Sequence, residues 1–539
     1  MISRPGSLET SLLAVVAAFT AAVAAASLWW PYGWDAGIFT WVADTIRHGG
    51  LPYRDAWDAK GPFSFYVFAL IQQVAGLAMW PVRLVDLLLM GAGALAVVLI
   101  VRRYAPGTMG LWIGLLLLLG YYATDFWNTA QPDAWIGALA ALAMLTLLRD
   151  DLDEHPVRAS LAAFVIGVGL VQKPTFLALV PLPGLAMLLL PGRPMARRLG
   201  RAALLTFVAL LPGALTALFF ASRGELAGLV EGYIALNLEM SRQVVGGVVR
   251  GLFYTLDMTL HIGAMPLLLP AAVVGAVHLW SRDRRACLLL LAWCFGMVLG
   301  IAAQRRYWGY HWHPFAWSLG PLAGIGLGVV ARSGEEHTRP IRVLVGAALA
   351  LAVFALAFPL QRRVREWVQL LRGDFPSRAE YLRQFPRDQS DVIDDDLSLA
   401  DWLTAHSAPE DRVFVWDSPL ANALAERRAP GRIGFFVPLV LARAGRNELV
   451  PLGPLQQRLR EEFLRSLEQP DARLVAVSRK AMTGVEPNLR KNLPVLFPEF
   501  RDLLARGWNI VDSAGDYRIY ARRPARDSLR TTPEPASGS

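Results

Sequence analysis

The stretch Trp34-Asp35-Ala36-Gly37-Ile38-Phe39 follows directly on an apolar run, Leu8 to Trp30, that is long enough to cross a bilayer. Asp35 therefore stands where the chain leaves hydrocarbon, and an acid is cheap to place there because water is close. The loop runs on past His48 as Gly49-Gly50-Leu51-Pro52-Tyr53-Arg54-Asp55-Ala56-Trp57-Asp58-Ala59-Lys60-Gly61-Pro62. A further apolar stretch, Pro62–Met79, then begins. Charged residues return to the same border later in the chain, and that return makes the border a site.

Composition agrees with this start. The 539 residues are 54% hydrophobic and only 18% charged, too apolar for a soluble domain and too long for one core. A span needs roughly 20 apolar residues. Candidate spans are Leu8–Trp30, Val82–Val101, Met109–Ala123, Asp133–Leu148, Val157–Val171, Pro174–Leu190, Arg201–Ala221, Met258–Trp280, Ala286–Ala303, Trp312–Val330 and Ile341–Leu360, about eleven in all. The net charge of +9 is spread over short loops rather than gathered on one face, which argues against a nucleic-acid partner. Cys287 and Cys294 lie two helical turns apart, roughly 10 Å, too far for a disulfide. The N-terminus, with Arg4 and small residues at Ala24 and Ala26, reads as an uncleaved signal anchor because its apolar run is of span length.

Charge decides the topology. With Pro62–Met79 lying in the interface and the N-terminus in the cytoplasm, the cytoplasmic loops carry Arg102/Arg103, Arg149/Arg158, Arg193/Arg197/Arg198/Arg201, Arg282/Arg284/Arg285 and Arg332/Arg339/Arg342. The other side then receives the loop 31–81, Tyr121–Pro132, Gln172-Lys173-Pro174, Ser222–Asp257 and Gln304–His311, where every polar cluster of interest falls. After Leu360 the character changes to charge runs and Pro-rich punctuation. Val413–Trp416, Arg473–Val477 and Tyr517–Ala521 read as strands, and Leu455–Leu467 as a helix. The expected fold is mainly α, a polytopic helical bundle over 1–360 with interfacial helices in its first outer loop, 31–81. A small extracytoplasmic α/β domain follows over 361–523, and then a disordered tail over 524–539.

The loop pattern of an acid, an amphipathic helix, Gly-x-x-Pro-Tyr and Asp-x-Lys-Gly-Pro resembles the GT-C membrane glycosyltransferases that use polyprenyl-phosphate sugars. Within them it is closest to the branch of the protein O-mannosyltransferases and the lipid A aminoarabinose transferase. The resemblance covers about 30–360 in architecture and is strongest over 31–81. It implies an inverting transfer, on the outer face of a bacterial inner membrane, from a polyprenyl-phosphate-linked donor to a glycan, lipid or protein acceptor. Such a site needs a carboxylate to take the acceptor proton. It also needs cations for the leaving phosphate.

Asp35 matches the family's base; read from the sequence alone, it serves equally well as the N-cap of a helix starting near Gly37. The family often has a second acid directly after it, and Ala36 stands there instead, which favours a reaction without a required metal or cofactor. Lys60 would reach phosphate or sugar with Asp58 orienting it; the bland alternative is a salt bridge at a helix start. Lys173 sits in a turn near bilayer depth, where an unpaired Lys costs up to roughly 3 kcal/mol. It should therefore have an anionic partner, either the donor phosphate or Asp35 or Asp133, with snorkelling to lipid headgroups as the alternative. Asp133, with Asp125 and Gln131 nearby, is a supporting acid or an N-cap. The segment Gln304-Arg305-Arg306-Tyr307-Trp308-Gly309-Tyr310-His311-Trp312-His313 offers Arg305, Arg306, His311 and Tyr310 for phosphate and sugar, against an aromatic belt as the alternative. A zinc site at His311 and His313 would lack further ligands.

No Walker A, Rossmann or HExxH pattern occurs. Two competing readings remain. An O-antigen polymerase or ligase would use a lipid-diphosphate glycan, but does not typically place an Asp directly after its first span. A transporter or flippase would place ionisable residues in mid-span, whereas the span interiors here are nearly free of charge and Asp86 and Asp257 are among the few acids near a span.

Overall fold

The computed structural model describes residues 7–242, 248–261, 263–305, 307–332, 339–385, 393–440, 451–479 and 496–523. The tail expected over 524–539 lies outside them, as does Arg306. The chain divides into two compact units, Met1–Arg54 with Asp58–Arg387, and Asp55–Trp57 with Asp388–Ser539.

The first unit is a helical bundle. Among the described residues, seven helices are long and apolar enough to cross a membrane: Leu8–Ser27, Trp80–Tyr104, Met195–Ser222, Met265–Arg282, Arg284–Gln304, Gly309–Arg332 and Val343–Arg372. Shorter apolar helices fill in between them, at Pro62–Ala75, Met109–Ala123, Pro132–Leu147, Pro156–Gln172 and Pro174–Leu188. Pro62–Ala75 has 14 residues. At 1.5 Å per residue it reaches about 21 Å, short of a hydrocarbon core of about 30 Å.

The span expected over Pro174–Leu190 is not one continuous helix. It is a 3₁₀ turn, Pro174–Leu179, followed by a seven-residue helix, Leu182–Leu188. Pro181 and Pro183 each remove a backbone donor that a continuous helix would need, whereas Pro174 stands at the first position, where none is needed. The last long helix runs on to Arg372, twelve residues past the apolar limit at Leu360, so the boundary expected at 360 falls inside it. Pairs three and four residues apart carry the extension: Arg362 with Glu366 at 2.6 Å and Arg363 with Glu366 at 3.1 Å.

Helix Pro132–Leu147 shows how the bundle separates its chemistry. Asp133 lies in its first turn. At its far end, the carbonyls of Leu147 and Leu148 accept from Arg285 at 2.6 and 3.0 Å. The Leu148 carbonyl also accepts from Arg103 at 2.8 Å. The arginine-rich loops that charge placed on one side thus meet one another at one end, and the acids and lysines of the loops expected on the other side meet at the opposite end.

In the second unit a mixed sheet has the order β1-β2-β4-β3. β1 (Arg412–Val415) pairs parallel with β2 (Ala472–Ser478). β4 (Tyr517–Arg522) pairs antiparallel with both β2 and β3 (Trp508–Ala514). Helix Pro454–Leu467 lies in the β1–β2 crossover. One core joins Leu399, Leu403, Val413, Val415, Ala476 and Ile519. A second is aromatic: Trp416 stacks on Phe436 and Phe500, and Phe414 packs on Phe463. β3 was not anticipated, because its central residues Ile510 and Val511 are exposed and blur the alternation that marks a strand.

Candidate active site

Asp35 is not an N-cap. Helix Trp34–Arg47 is preceded by Gly33, and Asp35 stands inside the first turn. Its Oδ1 accepts from Lys60 Nζ at 3.0 Å. Tyr310 also donates to it. Burial pushes the Asp35 carboxyl upward, but the Lys60 charge and the hydrogen bonds from Lys60 and Tyr310 prevail and hold it below its ordinary value. Asp35 is thus an ionised acceptor in a largely dry setting, with only 12% of its side chain exposed.

Lys60 owes its position to its own loop. Asp58 accepts the backbone N–H of Lys60 at 3.2 Å, and Tyr53 Oη donates to the Lys60 carbonyl at 2.7 Å. Asn237 donates to the Ala59 carbonyl at 2.6 Å. Asp58 therefore orients Lys60 through the main chain. Burial is the largest influence on Lys60 and lowers it, but Asp35 and Asp58 outweigh burial and keep the ammonium charged. For Asp58, burial dominates and lifts the carboxyl above its usual range.

A second pair stands beside the first. Lys173 donates to both oxygens of Asp133, at 2.8 and 2.6 Å, and to Gln304 Oε1 at 2.6 Å. The anion that Lys173 demands is Asp133 in this state. Asp133 is no N-cap either, since that position belongs to Gln131. Burial pushes Lys173 down to about 8, with the Lys60 charge adding to the fall and Asp133 opposing it. The Tyr310 ring lies 5.6 Å from Lys173 Nζ, so one aromatic residue touches both pairs.

Three junctions hold the two pairs together. Gly61 N–H donates to the Gln172 carbonyl at 2.8 Å, and a Cβ on Gly61 would lie 1.7 Å from the Val171 carbonyl oxygen. A Cβ on Gly33 would lie 2.7 Å from the Trp127 carbonyl oxygen. Arg83, 1% exposed, donates to the Pro31 carbonyl, to the Phe126 carbonyl at 3.2 Å and to Thr129 Oγ1 at 2.6 Å. Behind it, Asp86 accepts from Tyr121 at 2.7 Å and from Trp135 at 2.8 Å. The mid-span acid is therefore a satisfied structural group. Arg363 fastens the same loop from the last long helix, donating to Asp125 at 3.0 and 2.5 Å.

The remaining expected residues are placed unevenly. His311 is buried beside Tyr310, their rings 4.7 Å apart. His313 lies apart from the two pairs, against Tyr121 and with Thr124 Oγ1 at 3.3 Å. Arg305 ends its helix in a left-handed conformation, φ 55°, half-buried and without an ion pair among the described residues. Arg306 lies outside the described residues. Gln304 was missed as a site residue, because a polar side chain at a helix end reads as a border residue. Arg83 and Arg363 were missed because their partners are backbone carbonyls or an acid far away in sequence. Among the described residues, no group of three or more His, Cys, Asp or Glu side chains is arranged to hold a metal ion.

Residues 59–222 match the family model for dolichyl-phosphate-mannose-protein mannosyltransferase. No curated protein matches the chain. The crystal structure of ArnT from Cupriavidus metallidurans bound to undecaprenyl phosphate superposes with a TM-score of 0.57 at 15% identity, covering 96% of this chain and 100% of that one. ArnT from the same organism in the apo state gives 0.59 at 15% identity with the same coverage. The oligosaccharyltransferase AglB from Archaeoglobus fulgidus, in complex with an inhibitory peptide and a dolichol-phosphate, gives 0.47 at 14% identity, covering 96% and 74%. The chain therefore shares the fold of the two ArnT structures, and its residues 59–222 are similar to the dolichyl-phosphate-mannose-protein mannosyltransferase family.

Proposed function

We propose that this glycosyltransferase moves a sugar from a polyprenyl-phosphate donor to an acceptor hydroxyl on the extracytoplasmic face, with inversion. The observation that carries the reading is the buried Asp35–Lys60 pair at 3.0 Å. It sets a proton acceptor beside a fixed cation at the end of a helical bundle, the combination the reaction needs. The undecaprenyl phosphate bound by ArnT supports a polyprenyl carrier. Positive charge gathered at the opposite end supports an outward-facing site.

In this mechanism the acceptor oxygen attacks the anomeric carbon from the face opposite the phosphate. Its proton passes to Asp35, and the carbon–oxygen bond to phosphate breaks with its electron pair staying on phosphate. Lys60 and Lys173 stabilise that charge by exchanging part of their carboxylate contacts for phosphate oxygens. Tyr310 offers a ring for the sugar to stack on. His311, Arg305 and Arg306 stand in the adjoining segment as further donors to phosphate.

The test is transfer by purified protein from a panel of radiolabelled polyprenyl-phosphate sugars to membrane extract. Transfer from at least one monophosphate donor is expected; transfer only from a diphosphate-linked glycan would sink the proposal. A pH profile adds a second check. Lys173 loses its proton near pH 8, so kcat/KM is expected to fall on the alkaline side with a midpoint near 8. Asp35 is held low, so it adds no acid limb down to the ordinary carboxylate range, about pH 4, and an acid limb above that range is expected only from Asp58, whose carboxyl burial lifts. A profile flat to pH 9.5 would remove the Lys173 charge from the mechanism.

A further inference from the structure

At the arginine-rich end, far from the site, three guanidinium groups converge on one carboxylate. Asp153 has a side chain that is 0% exposed, and it faces Arg193 at 3.4 Å, Arg197 at 2.9 Å and Arg201 at 3.6 Å. Both its carboxylate oxygens are buried and without a hydrogen bond, so these close ion pairs are poorly directed. Glu154 takes one further contact from Arg193, at 2.7 Å. Arg198, between them in sequence, spends its donors on the carbonyls of Leu188 and Leu190. Three guanidinium groups thus face two carboxylates, which leaves one positive charge without a counter-charge among the described residues, and Arg198 adds a further positive charge held on carbonyls. Neighbouring acids are engaged elsewhere, Asp150 with Arg103 and Asp151 with Arg149.

The charges border a small apolar recess, about the size of one water molecule, between helices Pro156–Gln172 and Met195–Ser222. Ala159, Met187, Leu204 and Leu205 line it together with Asp153 and Arg201. Arg197 and Arg201 lie four residues apart and so share one helix face. The flanking surface is hydrocarbon-like, with Val157, Leu161 and Leu199 exposed. The arginine heads remain accessible, Arg197 with 54% of its side chain exposed.

We propose that this arginine cluster binds an anionic phospholipid, its phosphate on Arg193, Arg197 and Arg201 and one acyl chain along the exposed apolar surface of Val157, Leu161 and Leu199. The excess positive charge selects the anion, and guanidinium groups match the phosphate oxygens. The exposed apolar flanks select a lipid over a soluble phosphate. A basic pocket between membrane helices on the positively charged side is the setting in which anionic headgroups are held.

The test is native mass spectrometry of the full chain with phosphatidylglycerol or phosphatidylcholine, on three proteins. These are the wild type, a cluster variant (Arg193→Gln, Arg197→Gln, Arg201→Gln) and a charge-matched control (Arg102→Gln, Arg158→Gln, Arg332→Gln). Phosphatidylglycerol binding is expected to weaken at least tenfold in the cluster variant and no more than twofold in the control, with phosphatidylcholine weak throughout. Equal losses in both variants would reduce the effect to general surface charge and overturn the site. So would full displacement of the lipid by millimolar inorganic phosphate. Should the cluster variant fail to fold, Arg197→Gln alone is expected to weaken phosphatidylglycerol binding about threefold, and no change there would equally overturn the proposal.

Discussion

Asp35→Asn is expected to lower transfer by about a hundredfold to ten-thousandfold while leaving the protein folded, the usual contribution of a positioned general base. That range corresponds to about 3 to 5 kcal/mol of lost transition-state stabilisation. The amide keeps the shape of the carboxylate and can still meet Lys60, but it takes no proton. A purely structural Asp35 would behave otherwise. As an acid in a helix first turn it would be worth only about 0.3–1 kcal/mol of stability, and its loss would leave turnover nearly intact. Rate and thermal unfolding measured on one preparation separate the two. Turnover within threefold of wild type would demote Asp35 and turn attention to Asp58 and Asp133.

Gly61→Ala is the second substitution with a large expected effect. The backbone at Gly61 has φ −79°, open to any residue, so the constraint is space. The added methyl would lie 1.7 Å from the Val171 carbonyl oxygen and 2.8 Å from that of Gln172. Helix Pro156–Gln172 is anchored by its neighbours, so the loop must give. Lys60 precedes the clash directly and Lys173 follows the Val171-Gln172 pair, so an outward shift separates the two lysines and pulls Lys60 from Asp35. A misplacement of about 1 Å costs on the order of a hundredfold in rate. Transfer is therefore expected to fall at least a hundredfold, with membrane insertion and helix content unchanged. Activity within threefold of wild type would mean that the junction does not position the lysines.

Much of this site could be read before any coordinates. Asp35, Asp58 and Lys60 belong to one short loop whose spacing is distinctive. Lys173 announced itself by cost, since a lysine at that depth needs an anion, and Asp133 was one of the partners foreseen. What escaped was whatever depends on two segments meeting. Gln304 gains meaning only against Lys173, across 131 residues of chain. Arg363 gains meaning only against Asp125, across 238 residues. Hydropathy also misjudged length. It ended the last helix at Leu360, where the side chains turn polar although the backbone remains helical to Arg372. It drew one span through Pro174–Leu190, where Pro181 and Pro183 interrupt the helix.

The short apolar helices carry one more consequence. Pro132–Leu147 and Pro156–Gln172 have 16 and 17 residues, and each reaches one of the two buried pairs at a terminus. At 1.5 Å per residue they extend about 24 to 26 Å, less than a hydrocarbon layer of about 30 Å. Pro132–Leu147 is buried among its neighbours, so the lipid meets Pro156–Gln172, whose Val157 and Leu161 are exposed. Lipid against such a mismatch thins locally, at a cost of fractions of a kcal/mol per ångström. In the orientation proposed above, the leaflet then sags beside Lys173 and Asp133 into a shallow basin. The proposed carrier phosphate would enter that basin sideways, without its tail leaving the oil, and the acceptor would dip below the surrounding headgroups to meet it.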